Sequence, residues 1–369
     1  MRSRDLDALR ALAAYLVVWM HVAERHHELS QLGAAFYTLP QAVDAGRIGV
    51  ITFFVISGFV IPSSLKGARL QGLRTFVIRR FWRLYPAYWL AVILGYWACH
   101  ILSNNPMKMA EVAMNFTMIQ ESLGYPSVMG HFWTLQVELL FYTTCALLFA
   151  LGLLHRPWVA LLITLALAWV SGEFLLGILH HLGPFALNSV RGHTLFFLSF
   201  MFWGSLYRHW RDANYPKDWK LLGLMVAACC ILRHPCISLS QGLAQGNESA
   251  IRYALSHILG LALFIAGALA LRIQSSRIAY LGEISYSVYL FHPVLLYAGL
   301  WALKWLPPVC QQLHLGFYVA FHLVASTLFA HLVYSRVEKP AMSLGRRLSS
   351  PRGPRQPAKI LEPQPQTLP

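Results

Sequence analysis

Apolar runs long enough to cross a lipid bilayer recur along the whole chain, separated by short polar or basic segments. Ten runs can be delimited, at about residues 6–23, 48–65, 84–103, 132–154, 158–178, 192–208, 219–233, 252–271, 280–303 and 317–335. Each run is continuously apolar rather than alternating, which predicts helices and argues against the strands of a membrane barrel. The pattern therefore predicts an all-α polytopic membrane helix bundle with about ten transmembrane helices, of which 219–233 is the shortest.

The composition agrees with this interpretation. The chain is 57% hydrophobic and 12% charged, whereas soluble domains average about 45–50% apolar and about 25% charged residues. Its six cysteines form no Cys-x-x-Cys pair and lie mostly in apolar runs, so neither a disulfide framework nor a zinc site is indicated. No small-x-small cleavage site follows the first run, and we expect that run to remain as the first helix.

The basic charge of the chain is distributed unevenly between the predicted loops. With the N-terminus in the cytoplasm, 22 of the 30 lysines and arginines fall in cytoplasmic segments and 7 on the opposite side. Basic residues concentrate on the cytoplasmic side of membrane proteins. We therefore expect a multi-pass protein of the inner or plasma membrane with both termini in the cytoplasm. The net charge of +15 then reflects topology and does not indicate a nucleic-acid partner.

The end of the chain differs in composition from the rest. Residues 349–369 hold six of the nineteen prolines and show no apolar periodicity. We predict a membrane domain over residues 1–345 and a disordered cytoplasmic tail over residues 346–369. The sequence shows neither an internal repeat nor a second folded domain.

The first apolar run carries ionisable side chains, which are costly at membrane depth and often functional there. Arg10 and His21 are eleven residues apart, so they leave the same face of a helix about 16 Å apart along its axis. One interpretation is a signal-anchor helix whose histidine bonds a neighbouring backbone. The other is a helix that presents a cation for an anionic group and an imidazole for proton chemistry along one channel.

A second polar stripe lies in the 132–154 run. Thr134, Glu138 and Tyr142 are four residues apart and share one helix face. On the predicted topology this helix enters from the outer side, so Glu138 lies about 8 Å below the outer surface, at a depth similar to that of His21. A carboxylate at that depth would orient the imidazole. The alternative is a glutamate that bonds a neighbouring helix for packing alone.

The 280–303 run predicts a third stripe, with Gly282, Ser285, Tyr289 and His292 on one face. Such a face either joins helices or lines a site. Two histidines and one carboxylate at one level would also suit a metal ion. No two of them have i, i+4 spacing on one helix, however, so we favour proton chemistry and expect no metal.

A basic segment precedes the 84–103 run. We predict a cytoplasmic loop here, with Pro86 opening the next helix. Arg79, Arg80 and Arg83 are interleaved with aromatic residues in this loop. Two interpretations remain open: cytoplasmic charge with an aromatic belt, or guanidinium groups that bind the phosphates of a cofactor.

Taken in order, six short stretches resemble the motifs of the acyltransferase-3 family of polytopic membrane acyltransferases. They are the Arg-x10-His pair Arg10 and His21, the FFVxSGF stretch with Phe53, Phe54, Ser57 and Gly58, the RRxxRxYP stretch from Arg79 to Pro86, the WTLxxExxF stretch with Glu138, the SYxxYLxH stretch ending at His292, and the closing E-x-P at Glu338. The resemblance covers about residues 5–340.

The resemblance implies an enzyme that takes an acyl group, commonly acetyl, from cytoplasmic acyl-CoA. It implies transfer to a hydroxyl of a cell-surface polysaccharide, oligosaccharide or lipid-linked sugar. One position departs from the family pattern, because Ile51 stands where an acidic residue is common. The role of that carboxylate is then lost or moved, for example to Glu173, which leaves the acceptor open. The acyl length does not follow from the sequence.

The resulting hypothesis gives each polar stripe a role. His21 is the general base, oriented by Glu138, with Arg10 along the route; a transient acyl-histidine is an open alternative. His292 and Tyr289 steady the oxyanion or the acceptor. The predicted CoA-binding residues are Arg79, Arg80 and Arg83, and the predicted substrate-binding residues are Ser57, Ser285 and Tyr289.

Two other functions are compatible with a polytopic bundle. A transporter or flippase for an anionic or glycolipid substrate would also need intramembrane arginine, histidine and glutamate. Many carriers contain inverted repeats, and this sequence shows none, which favours the enzyme. A non-catalytic scaffold would need no buried ions. The oligomeric state does not follow from the sequence.

Overall fold

The computed structural model describes residues 4–29, 32–171, 192–215, 218–270 and 275–350. These residues form fourteen α-helices, which we number in chain order. They are α1 (Arg4–His27), α2 (Ala35–Val43), α3 (Ala45–Val60), α4 (Arg69–Tyr96), α5 (Met109–Asn115), α6 (Trp133–Ala150), α7 (Pro157–Val170), α8 (Gly192–Asp212), α9 (Trp219–Gln245), α10 (Glu248–Ala270), α11 (Ser276–Glu283), α12 (Ser285–Leu303), α13 (Leu315–Val333) and α14 (Lys339–Ser349).

The predicted all-α polytopic bundle is confirmed. In the part of the chain described here, eight helical segments are long and apolar enough to cross a membrane. The other two predicted spans correspond to α7 and α8, which are not among these eight segments. Helix α7 is 14 residues long, and α8 ends in charged residues. Large apolar side chains such as Leu147, Leu222 and Leu328 are more than 60% exposed, as expected of a surface that faces lipid tails.

Helices α1 and α3 form the centre of the bundle. About 67% of the apolar stretch of α1 and 78% of that of α3 are buried, against 28% for α9. They pack against each other, α1 also contacts α11, α12 and α13, and α3 also contacts α8 and α10. The predicted Arg10–His21 pair therefore lies on an interior helix.

Small residues allow the central helices to approach closely. A Cβ atom at Gly58 of α3 would clash with the backbone carbonyl of Met201 on α8. A Cβ atom at Gly204 of α8 would clash in turn with the carbonyl of Val55 on α3. Close backbone approach through small residues is a common way of joining helices in lipid, where burial of apolar surface contributes little.

Several helix boundaries differ from the sequence predictions. The basic segment is helical from Arg69, so it is part of α4 and not a loop, and Pro86 lies inside that helix. Packing of α4 against α6 and α14 outweighs the backbone hydrogen bond that the proline cannot donate. The predicted 280–303 span is broken at Ile284, where α11 ends and α12 begins. The span predicted as shortest, 219–233, extends as α9 over 27 residues.

The last described helix reaches beyond the predicted domain boundary. Helix α14 continues to Ser349, so its last turn falls within the tail predicted from residue 346. Residues 351–369, which hold the prolines of that tail, lie outside the described residues.

Candidate active site

Two cavities enter the bundle from opposite ends of α1. The outer cavity, of about 650 Å³, is lined by His21, His131 and Arg25 among others. The inner cavity, of about 370 Å³, is lined by Arg10 and Arg80 among others. The names outer and inner follow the predicted topology. Arg10 and His21, on one face of α1, therefore open into different cavities along the same helix.

A pair of histidines lies beside the outer cavity, where His21 lines the cavity and His292 is almost fully buried. The Nδ1 atom of His21 lies 2.8 Å from Nε2 of His292, and the two rings are nearly parallel at 14°. Nδ1 of His292 lies 2.7 Å from the backbone carbonyl oxygen of Tyr289. A carbonyl oxygen only accepts, so Nδ1 of His292 carries the proton.

This hydrogen-bond chain fixes the tautomers of both neutral rings. With its proton on Nδ1, His292 accepts at Nε2, and the proton between the rings belongs to Nδ1 of His21. The Nε2 atom of His21 is then unprotonated and free to accept a proton. The bond to His292 is the one hydrogen bond of the His21 ring within the described residues.

A third histidine, His131, also lines the outer cavity, and it is not among the residues predicted from the sequence. The His131 ring lies 5.3 Å from the His292 ring and 5.1 Å from the Tyr289 ring, centroid to centroid. Its Nε2 atom is buried without a hydrogen-bond partner in the described part of the chain. His131 stands two residues before the WTLxxExxF stretch, and this proximity is the signal that could have identified it.

A hydrogen-bonded pair of side chains, Tyr289 and Thr134, forms the wall between the two cavities. The Tyr289 hydroxyl and the Thr134 hydroxyl are 2.7 Å apart, and Tyr289 also donates to the carbonyl of His131 at 3.3 Å. Both cavities are lined by Val50, Thr134 and Tyr289. A reactant that enters the inner cavity therefore has to pass this wall to reach His21.

Glu138 lies on the inner side of that wall. Its Oε1 atom accepts hydrogen bonds from Tyr142 at 2.5 Å and from Ser57 at 3.3 Å. The expected contact between Glu138 and His21 is not what the structure shows, because His21 pairs with His292. Thr134 is itself part of the wall. Glu138 follows Thr134 by one helical turn on α6, which places it about 6 Å farther toward the inner side. The two histidines and the carboxylate that were considered as metal ligands therefore do not lie together.

Two of the three predicted arginines face the inner cavity. The Arg80 guanidinium lies 5.3 Å from the centre of the Tyr142 ring and donates to Ser64 at 3.1 Å. Arg83 forms an ion pair with Glu338 and lies 5.6 Å from the centre of the Tyr286 ring. Arg80 and Arg83 thus bring two guanidinium groups to the inner cavity, which Arg10 also lines.

Arg79 points elsewhere. Its Nε atom donates to the hydroxyl of Ser349 on α14 at 2.9 Å. Arg79 is not among the described residues that line the inner cavity. Arg79 and Arg83 share a helix face, as their spacing predicts, and this face is the one that packs on the C-terminal helix.

The remaining predicted positions fall in three different places. Ser285 lines the inner cavity and donates to the carbonyl of Gly282 at 2.8 Å. Ile51 is fully buried and packs against Gly260 of α10. Glu173, considered as its replacement, lies outside the described residues.

Comparison with known proteins agrees with this architecture. The sequence model of the acyltransferase-3 family, described as an acyltransferase domain, matches residues 3–334. Nodulation protein 10 of Rhizobium leguminosarum bv. viciae is 23% identical over 378 aligned residues, which cover 94% of this chain and 96% of its own. The O-acetyl transferase of Shigella phage Sf6 is 25% identical, over 92% of this chain and 96% of its own.

A third relative matches a smaller part of the chain. The peptidoglycan O-acetyltransferase OatA of Listeria monocytogenes is 29% identical over 159 residues, which cover 37% of this chain and 22% of its own. No solved structure gives a significant match. The family match makes the chain an acyl-transferring enzyme, so the alternatives of a carrier and of a scaffold are not supported. With a family model that spans nearly all of its membrane helices, the chain belongs to the acyltransferase-3 family.

Proposed function

We propose that the protein is an O-acyltransferase of the inner or plasma membrane, with both termini in the cytoplasm. It moves an acyl group, commonly acetyl, from acyl-CoA to a hydroxyl of a cell-envelope glycan. The observation that carries this proposal is the pair of cavities that meet at Tyr289 and Thr134, with His21 directly on the outer side. Donor and acceptor would approach from opposite faces of the membrane and react at this wall.

The inner cavity would bind the donor. Guanidinium groups bind phosphate through paired, charge-assisted hydrogen bonds. Arg80 and Arg83 would hold the CoA phosphates, and Arg10 would lie along the route of the pantetheine arm. Ser57, Ser285 and Glu138 would contact the donor between the arginines and the wall. The thioester would then reach the wall beside Tyr289.

The outer cavity would supply the base. The acceptor hydroxyl gives its proton to Nε2 of His21 while its oxygen attacks the thioester carbonyl. The C–S bond of the tetrahedral intermediate then breaks, and the CoA thiolate leaves with the proton returned by His21. His292 would accept from Nδ1 of the protonated ring and so keep it oriented, the role first assigned to Glu138. Tyr289 and His131 border the space in which the oxyanion and the acceptor would lie.

The proposal is tested with the purified protein in lipid nanodiscs, acetyl-CoA labelled in the acetyl group, and envelope glycan extracted from cells that lack the gene. We expect label in the glycan together with an equal amount of free CoA. Release of CoA without label in any glycan fraction, or no release at all, would contradict the proposed reaction. Mass spectrometry of the envelope glycans with and without the gene would identify the acceptor.

The two arginine orientations lead to a paired prediction. We expect Arg80→Gln to raise the KM for acetyl-CoA by about 10-fold or more, since a charge-assisted hydrogen bond contributes about 1.5–3 kcal/mol. Arg79→Gln should change KM by less than about 2-fold, because that side chain bonds Ser349 instead. Steady-state CoA release at varied acetyl-CoA measures both. Equal effects of the two variants would contradict the assignment of Arg80 to the donor site.

The wall between the cavities leads to another prediction. Tyr289→Phe removes the hydroxyl that bonds Thr134 and the carbonyl of His131, while it retains the ring. A neutral hydrogen bond contributes about 1 kcal/mol, so we expect acyl transfer to fall about 5-fold, with a larger share of acetyl-CoA lost to water. The ratio of acetylated glycan to free CoA measures this coupling. An unchanged ratio would show that the hydroxyl does not separate donor from solvent.

A further inference from the structure

The outer cavity gathers positive charge on a side of the protein that has little of it. Seven lysines and arginines lie on the predicted outer side, and three of them, Arg25, Arg47 and Arg252, line this cavity. They come from three different helices or helix ends, since Arg25 is on α1, Arg47 on α3 and Arg252 on α10. The fold therefore brings scarce cations together at the mouth of the proposed acceptor site.

These three arginines differ in their partners. Arg47 is neutralised within the protein, because its Nε atom lies 3.4 Å from Oδ2 of Asp44. Among the described residues, neither Arg25 nor Arg252 forms an ion pair, because no carboxylate oxygen lies within 4 Å of either guanidinium group. The Arg25 guanidinium lies 5.7 Å from the centre of the Tyr297 ring, which orients it without cancelling its charge.

Arg252 has an unused donor. Its Nε atom is buried and has no hydrogen-bond partner within the described part of the chain. A buried donor that remains unpaired costs about 1–3 kcal/mol, and more when the group is charged. A ligand that accepts from this donor would remove that cost. The cavity also holds Glu24 and Asp44, so it is a mixed site with two unpaired cations and not a uniformly basic surface.

The position of Arg25 relates this charge to the proposed base. Arg25 follows His21 by four residues on α1, one helical turn, which places it about 6 Å farther along the axis toward the outer side. An anion held there would belong to the sugar that is acylated or to its immediate neighbour.

We propose that the outer cavity selects acceptors that carry an anionic group, a carboxylate or a phosphate, beside the hydroxyl to be acylated, and that Arg25 and Arg252 bind this group. The inference rests on the proposed function, of which it names the acceptor class. A carboxylate would mark an acidic sugar, and a phosphate would mark a phosphorylated or lipid-linked sugar.

The test measures binding in the absence of acyl-CoA. Three probes differ at one carbon: methyl glucoside, methyl glucuronide and methyl glucoside 6-phosphate. Saturation-transfer NMR with the protein in uncharged lipid nanodiscs reports the affinity of each. We expect at least one anionic probe to bind about 10-fold more tightly than the neutral one, and the stronger of the two identifies the carboxylate or the phosphate as the recognised group.

The variants locate this preference. Arg252→Gln and Arg25→Gln should each reduce the preference for the anionic probe to less than about 3-fold and leave neutral-probe binding unchanged. Arg233→Gln is the matched control, because Arg233 is a predicted outer arginine that lies 5.5 Å from the Trp169 ring and does not line this cavity. Size-exclusion profiles check the fold, and Arg25→Gln alone decides the matter where Arg252→Gln does not fold.

Equal binding of neutral and anionic probes by the wild-type protein would overturn the proposal. So would an anionic preference that survives both cavity variants or that disappears in Arg233→Gln. None of these outcomes depends on acyl transfer. CoA release from acetyl-CoA in the presence of the extracted glycan reports separately on the proposed function.

Discussion

Replacement of His21 by glutamine is expected to reduce acyl transfer by about 10²–10⁴-fold, the usual contribution of a positioned general base. Glutamine retains polarity and similar size but cannot take up a proton. The hydrogen bond from His21 to His292 leaves Nε2 of His21 as the basic nitrogen. The substitution removes this nitrogen. Acetyl-CoA binding, which the inner cavity would provide, should remain within about 2-fold of wild type.

Two measurements separate these effects. Transfer of labelled acetyl to glycan reports the chemical step, and calorimetric titration with CoA reports donor binding. His331→Gln serves as the control, because His331 is an exposed histidine of α13 that contacts Tyr280 and lines neither cavity in the described residues. Transfer by His21→Gln at more than about one tenth of the wild-type rate would assign the base to another group, and His131 would be the first to test.

Positions within one helix were predictable from the sequence. Arg10 and His21 were expected on one face of the first helix because α-helical spacing alone determines that relation. The resemblance placed the same two residues in one motif, and both side chains do open into cavities along α1. The apolar runs likewise predicted the bundle, since their length and continuity leave few other structures in a bilayer.

Relations between helices were less predictable. The depth assigned to Glu138 assumed that its helix begins at the outer surface. The chain instead makes a short turn at Gly130–Phe132, and Thr134 already lies at the level of Tyr289, so the carboxylate falls one turn below the histidines. The pairing of His21 with His292 depends on contacts between residues 271 positions apart, which helical spacing does not determine.

The basic segment shows a related limit. It was predicted as a loop because it separates two apolar runs, and Pro86 was expected to open the next helix, where a proline is tolerated. In the bundle α4 packs along α14, and this tertiary contact extends the helix back to Arg69. The same contact turns Arg79 toward Ser349 and leaves Arg80 to face the cavity, a division that the spacing of the arginines does not show.

Loss of the Glu338 carboxylate is expected to have the largest effect on stability. Glu338, from the closing E-x-P motif, has a fully buried side chain that forms an ion pair with Arg83 and accepts a hydrogen bond from Ser287 at 2.8 Å. It therefore connects α4 and α12 at the inner end of the bundle. Removing one partner of a buried ion pair costs about 3–5 kcal/mol, because the other charge remains buried and uncompensated. We expect Glu338→Ala to lower the Tm of the detergent-solubilised protein markedly.

A double-mutant cycle distinguishes an uncompensated charge from lost packing. Glu338→Met and Arg83→Met should each destabilise the protein by several kcal/mol, and the double variant should be more stable than either single variant, since an apolar pair leaves no buried charge. Glu248→Met, at an exposed position at the start of α10, should change Tm little. Additive losses in the double variant would show that the two side chains act independently. The double variant should still bind acetyl-CoA less tightly than wild type, because the guanidinium that would hold the donor phosphates is gone; unchanged donor affinity would restrict Arg83 to a structural role.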